Sequence, residues 1–71
     1  MNNKSFYFVE TVEFFNNGCT TEEGYETLEG VKHHLKNHVG FPNYVVEAAL
    51  ENMGYKDTDY GVKITLMTAT Q

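Results

Sequence analysis

Arginine is missing from this 71-residue chain, and five lysines stand against ten aspartates and glutamates, a formal net charge of −5. Lysine lacks the planar bidentate fork that base and phosphate recognition favours, and an acidic surface repels a phosphate backbone. Direct binding of DNA or RNA is therefore not expected. The partner an acidic chain attracts is a basic one, including a protein whose own surface is built to hold nucleic acid. Cysteine is nearly missing too. Cys19 stands alone, so no disulfide can form within the chain, which fits a reducing compartment.

Long apolar runs are the third absence. Phe6-Tyr7-Phe8-Val9 is cut by Glu10, too short for a signal-peptide core, and nothing approaches the ~20 apolar residues of a membrane span. The expectation is a soluble, cytoplasmic protein without a membrane partner. Motifs that would announce chemistry are absent as well: no glycine-rich phosphate loop, dinucleotide fingerprint, nucleophile elbow, Cys-x-x-Cys pair or His-Glu-x-x-His. No cofactor is implied. "DTDYG" at 57 to 61 lacks the bidentate glutamate of a calcium loop and reads as a solvated turn between a helix and a strand.

A chain this short forms one domain, residues 1–71, and buries only about 60% of its unfolded surface. Such domains lean on a metal, unusually good packing or a partner subunit, so a homodimer or higher homo-oligomer enters as an expectation from size alone. Residues 6–15, "FYFVETVEFF", are aromatic and β-branched and predict a strand. Phe6, Phe8, Val12 and Phe14 share one face, interrupted by Glu10, while Tyr7, Val9 and Phe15 load the other. Either a bulge near Glu10 shifts the register, or both faces are covered and a partner takes the second. Asn16-Asn17-Gly18 predicts a tight hairpin turn, and the charged return segment from Cys19 to Glu26 predicts a short edge strand.

Thr27 is placed as a helix N-cap, with Glu29 in the first turn and Gly40 as the stop. Leu28, Val31, Leu35 and Val39 form the stripe of that helix. A second helix opens at Pro42-Asn43, runs through Met53 and closes at Gly54, with Val45, Val46, Ala49, Leu50 and Met53 opposite Glu47 and Glu51. The final "YGVKITLMTAT" alternates, with Val62, Ile64 and Leu66 inward and Lys63, Thr65 and Met67 outward. The fold class that follows is α+β: a two-layer domain of order β-β-α-α-β, with about three antiparallel strands, two helices on one face and the last strand beside the first.

Three groups of residues are candidates for function. His34 and His38, four apart on the flank of the apolar stripe, could supply two ligands to a metal, with His33 pointing away. The preferred reading of these histidines, with Lys32 and Lys36, is a cationic helix end facing the negative dipole terminus. Protonation of all three histidines would move the formal charge from −5 to −2. Cys19 reads as partly buried and inert. Glu22, Glu23, Glu26 and Glu29 can imitate the spaced charge of a phosphate backbone. Tyr25, Tyr44, Tyr55 and Tyr60, near element ends, serve either as interface contacts or as rims of the small core.

In general character the chain resembles the small accessory proteins of bacteriophages and mobile elements. That resemblance implies a protein that acts by sticking, blocking a host enzyme or defence complex. The first expectation is thus a non-catalytic inhibitor that meets a basic host protein through those glutamates and tyrosines. The second is a homo-oligomer holding a nucleotide-like ligand at its subunit interface. A small metal-dependent enzyme using His34 and His38 comes third.

Overall fold

The computed structural model describes residues 3–70, with side chains from Lys4 to Ala69. Four strands form one antiparallel sheet: β1 (Asn3–Glu13), β2 (Cys19–Tyr25), β3 (Gly54–Lys56) and β4 (Tyr60–Thr70), in the order β2-β1-β4-β3. Between β2 and β3 lie α1 (Leu28–His33), a π-helical segment (His34–Val39) and α2 (Asn43–Asn52), giving β-β-α-α-β-β along the chain. The α+β class, the edge position of β2 and the β1–β4 pairing follow the sequence pattern. The fourth strand does not. β3 is three residues long, too short to carry an alternation.

β1 pairs residue for residue with β4, from Asn3↔Thr70 to Glu13↔Tyr60, and with β2 from Tyr7↔Tyr25 to Glu13↔Cys19. No bulge interrupts either ladder at Glu10. The strand therefore has two unbroken faces, and the helices cover the odd one: Val9 and Thr11 are buried beside Ile64 and Val62 of β4. The reason lies at Glu10. It sits mid-strand on the Phe6–Phe8–Val12 face, so packing helices there would bury a carboxylate in the core. Glu13, on the covered face, stands at the strand end and is only half-buried.

The core joins Val9, Val62 and Ile64 of the sheet to Val31, Leu35, Phe41, Val45, Val46 and Ala49 of the helical layer. Leu66 was expected to point inward with Val62 and Ile64. It has their parity, but it lies beyond the reach of the helices and is 58% exposed. Leu28 (40%) and Met53 (36%) are likewise more open than their helical spacing suggests. Phe14 and Phe15 belong to the β1–β2 loop rather than the strand, because Phe14 N–H donates to the Asp59 carbonyl outside the ladder.

Local chemistry sets the ends. Thr27 caps α1, its Oγ1 accepting from Gly30 N–H at 3.1 Å. Gly40 (φ 81°) ends the π-helical segment, its N–H donating to Leu35 O, and Phe41 N–H donates to the same carbonyl at 2.9 Å. The expected stop of α2 at Gly54 falls one residue earlier. Met53 takes the left-handed conformation (φ 57°), because Gly54 already pairs opposite Lys63 in β3. Met53 O in turn accepts from Ile64 N–H at 3.2 Å.

Candidate functional site

The helical end that carries the histidines is wider than an α-helix. His34–Val39 is π-helical, a geometry that brings residues five apart alongside one another. His33 therefore does not point away from its neighbours: its ring lies 6.3 Å from that of His38, while His34 and His38 stack at 5.6 Å with 27° between planes. The three rings form a short run from solvent inward. His33 and His38 are exposed, and His34 is buried at 5% exposure.

Each neighbour of His34 is identifiable. Tyr25, at the end of β2, places its hydroxyl 2.9 Å from His34 Nδ1 and its ring 5.2 Å from the imidazole. Gly30 makes the approach of α1 to β2 close, because a Cβ there would sit 3.0 Å from Tyr25 Cδ1. Nε2 of His34 is buried without a hydrogen-bond partner. Burial, then the neighbouring His38, holds His34 below the ordinary histidine range, with Glu23 acting in the opposite sense. Burial and then Glu23 push the Tyr25 phenol up. Among the described residues, no group of three or more His, Cys, Asp or Glu stands close enough to hold a metal.

Cys19 was expected to be partly buried, but it is exposed. It opens the edge strand β2, opposite Glu13. Glu22, Glu23, Glu26 and Glu29 are all exposed, the first two on β2, Glu26 in the turn that follows and Glu29 in the first turn of α1. Lys4 Nζ lies 2.7 Å from Glu26 Oε1. That contact lowers the Glu26 carboxyl and raises the Lys4 ammonium. Alternation divides the acids between faces, Glu23 on the helix side and Glu22 on the other.

The four tyrosines do not form one surface. Tyr25 belongs to β2, whereas Tyr55 belongs to β3 at the opposite edge of the sheet. Tyr25, Tyr55 and Tyr60 pack against the core, and Tyr44 is 59% exposed. Tyr60 meets Phe41 at a tilt (4.8 Å between centroids, 59° between planes) and Phe15 edge-on (5.4 Å). The tyrosines at this edge therefore act largely as a rim. Tyr55 donates its hydroxyl to Asp57 Oδ2 at 2.5 Å, and Asp57 Oδ1 accepts from the N–H groups of Asp59 and Tyr60, both at 2.7 Å.

Residues 57–59 of "DTDYG" thus turn between two strands, β3 and β4, and not between a helix and a strand as expected, while Tyr60 and Gly61 open β4. The turn is built on an aspartate that accepts three hydrogen bonds. The Tyr55 phenol is pushed up to about 12, chiefly by that hydrogen bond to Asp57. The same contact, followed by the backbone donors, holds Asp57 below the usual carboxylate range. A lowered folded value means the stabilisation is present above the unfolded carboxylate pKa and is lost as pH falls through the folded one. Asp57→Ala is expected to lower the thermal midpoint and speed amide exchange at Asp59 and Tyr60. Unchanged exchange at those two amides would remove Asp57 from the turn.

Comparison with protein-family models, with curated proteins and with solved structures finds no match. No helix is long and apolar enough to cross a membrane among the described residues. The class that fold and geometry define is a small α+β domain with one helix-covered sheet face, one open face and an acidic edge.

Proposed function

We propose that this chain is a non-catalytic binding protein whose acidic edge occupies a basic surface on a partner protein. The observation that carries the reading is the run of exposed carboxylates at Glu22, Glu23, Glu26 and Glu29, on an edge strand, the turn that follows and the first turn of α1. An edge strand lacks a neighbour on one side, so a partner can approach it closely from there. Closely spaced negative charge on such a ridge complements a groove that holds a phosphate backbone, and it speeds encounter through long-range attraction. The partner class is a basic host protein such as a nucleic-acid-handling or defence enzyme, and the chain acts as a phage-type accessory inhibitor by occupying it.

A catalytic role has less support. His34 is a buried ring with a tyrosine partner on one nitrogen and the other nitrogen closed off from solvent, the setting of a packed histidine more than of an accessible acid or base. A nucleotide-like ligand would need clustered cations, yet Lys56 and Lys63 share their sheet face with Glu10 and Glu22.

Reversal of Glu22, Glu23, Glu26 and Glu29 to lysine changes the formal charge by eight units, from −5 to +3. These side chains are exposed, so the variant is expected to fold. Its affinity for the cognate partner should fall at least tenfold at physiological salt, and the salt dependence of binding should flatten. A folded variant with unchanged affinity and unchanged salt slope would overturn the electrostatic reading.

A further inference from the structure

The face of the sheet that the helices leave open carries a specific arrangement of side chains. By register, Phe6 lies beside Met67, Phe8 between Gly24 and Thr65, and Val12 between Thr20 and Gly61. Phe14 joins Val12 over Gly61, where an added Cβ would come within 3.3 Å of its ring. Phe14 and Met67 are 41% and 43% exposed. A groove of about 370 Å³ crosses this face, lined in part by Glu10, Val12, Phe14, Glu22, Lys56 and Lys63. Apolar side chains thus occupy both ends of the face, with a charged row between them.

That middle row reads Glu22, Glu10, Lys63 across β2, β1 and β4. Glu22 and Glu10 are direct cross-strand neighbours of like charge, an arrangement that destabilises a sheet taken alone. The ion pair formed among the described residues, Lys4 with Glu26, lies at the Phe6 end of this same face, and Lys63 makes no such contact with Glu10. The row is negative toward the β2 edge and positive on β4, where Lys56 of β3 adds charge one row away.

We propose that this face is the interface of a homodimer, two copies packing sheet against sheet about a twofold axis parallel to the strands. Such an axis exchanges left and right across the sheet while preserving height along it. The β1 strand of one copy then lies over β4 of the other. Glu10 faces the second copy's Lys63, and Lys63 faces its Glu10. The aromatic strand β1 meets the slimmer row of Thr65 and Gly61 on β4. Sheets packed in this way sit about 10 Å apart with strands nearly aligned.

The area also fits. Two eleven-residue strands with flanking strands of seven and three residues project roughly 500 Å² at ordinary rise and spacing. Side-chain relief raises the accessible area toward the ~800 Å² per partner of a standard interface. Other twofold axes in the interface plane do worse. An axis across the strands would lay Glu10 and Glu22 over their own copies, stacking like charges.

The test uses paired charge variants, Glu10→Lys and Lys63→Glu, which leave Glu22, Glu23, Glu26 and Glu29 in place and so separate this proposal from the partner-binding reading. Lys63 is exposed and Glu10 half-buried on this open face, and circular dichroism checks that each variant folds. Sedimentation equilibrium should show a wild-type dimer in the micromolar range, with each variant alone dimerising at least tenfold more weakly. Mixed together, the two variants should form a 1:1 heterodimer, because every facing pair is then of opposite sign. A wild-type monomer at ~100 μM, where even a weak dimer would be populated, overturns the proposal. So do variants that dimerise as tightly as wild type, or a mixture that fails to associate. A wild-type monomer whose open face instead binds a different protein also overturns it.

Discussion

Leu35→Ala is expected to remove a large share of the stability of this domain. Leu35, in the π-helical segment, is fully buried in the core that also holds Val9, Val31, Val45 and Val46. Truncating a leucine in such a position costs about 2–5 kcal/mol, through lost transfer energy and the cavity left behind. At ~0.05–0.15 kcal/mol per residue, a 71-residue domain has roughly 4–10 kcal/mol in total. The thermal midpoint should therefore drop by tens of degrees, or the variant should fail to fold. Leu66→Ala is the control. Leu66 has the same parity as the buried β4 residues but is 58% exposed, so its truncation should cost under ~0.5 kcal/mol. Thermal melts of the two variants side by side read this directly. Equal losses would mean that the helical layer extends over Leu66.

The second large effect is loss of stability in mild acid through His34. Burial and the adjacent His38 hold its folded pKa below the ordinary value of 6.5, while Glu23 pulls the other way. Between the two values the unfolded chain binds the proton and the folded one does not, so stability falls as pH falls. The full contribution is present above pH 6.5, and the loss levels off below the folded value. Geometry gives the same sign. Protonation would place a charged ring in the core with Nε2 unpaired, while Nδ1, no longer able to accept, would have to donate to the Tyr25 hydroxyl. Chemical denaturation at about pH 7 and about pH 5 should show wild type losing stability on acidification, and His34→Gln losing distinctly less. Parallel losses in the two proteins would assign the acid sensitivity to other groups.

Local signals were legible where one residue decides the outcome. Thr27 caps α1 because its hydroxyl can reach the Gly30 amide, and Gly40 ends the helical segment because it tolerates a positive φ. The alternation of Val62 and Ile64 placed β4, and the charges of Cys19–Tyr25 suited an exposed edge. What the pattern left open was the face of β1. Phe6 and Phe8 outweigh Tyr7 and Val9 in apolar bulk, so counting bulk selects the wrong core. The decisive signal was Glu10, whose position in mid-strand excludes its whole face from the interior.

Other features depend on contacts that no local pattern encodes. β3 exists because Tyr55 and Lys56 can pair with β4 beyond a turn organised by Asp57. Leu66 is open because the helices end short of it, which is a matter of length rather than period. The histidine run depended on a π-helical segment that an α-helical wheel does not anticipate, so the approach of His33 to His38 was missed. Exposure of the four edge glutamates was legible from their position. Their separation from Tyr44, Tyr55 and Tyr60 required the strand order.

The central claim is that this chain works by binding a basic protein through its acidic edge. Native mass spectrometry of the chain isolated from its own cells, without a metal-binding tag, tests it most directly. The expected result is a complex with a basic protein that persists at moderate salt, dissociates at high salt and is lost on reversal of Glu22, Glu23, Glu26 and Glu29. A chain that carries a stoichiometric metal or nucleotide and retains no protein partner would contradict it.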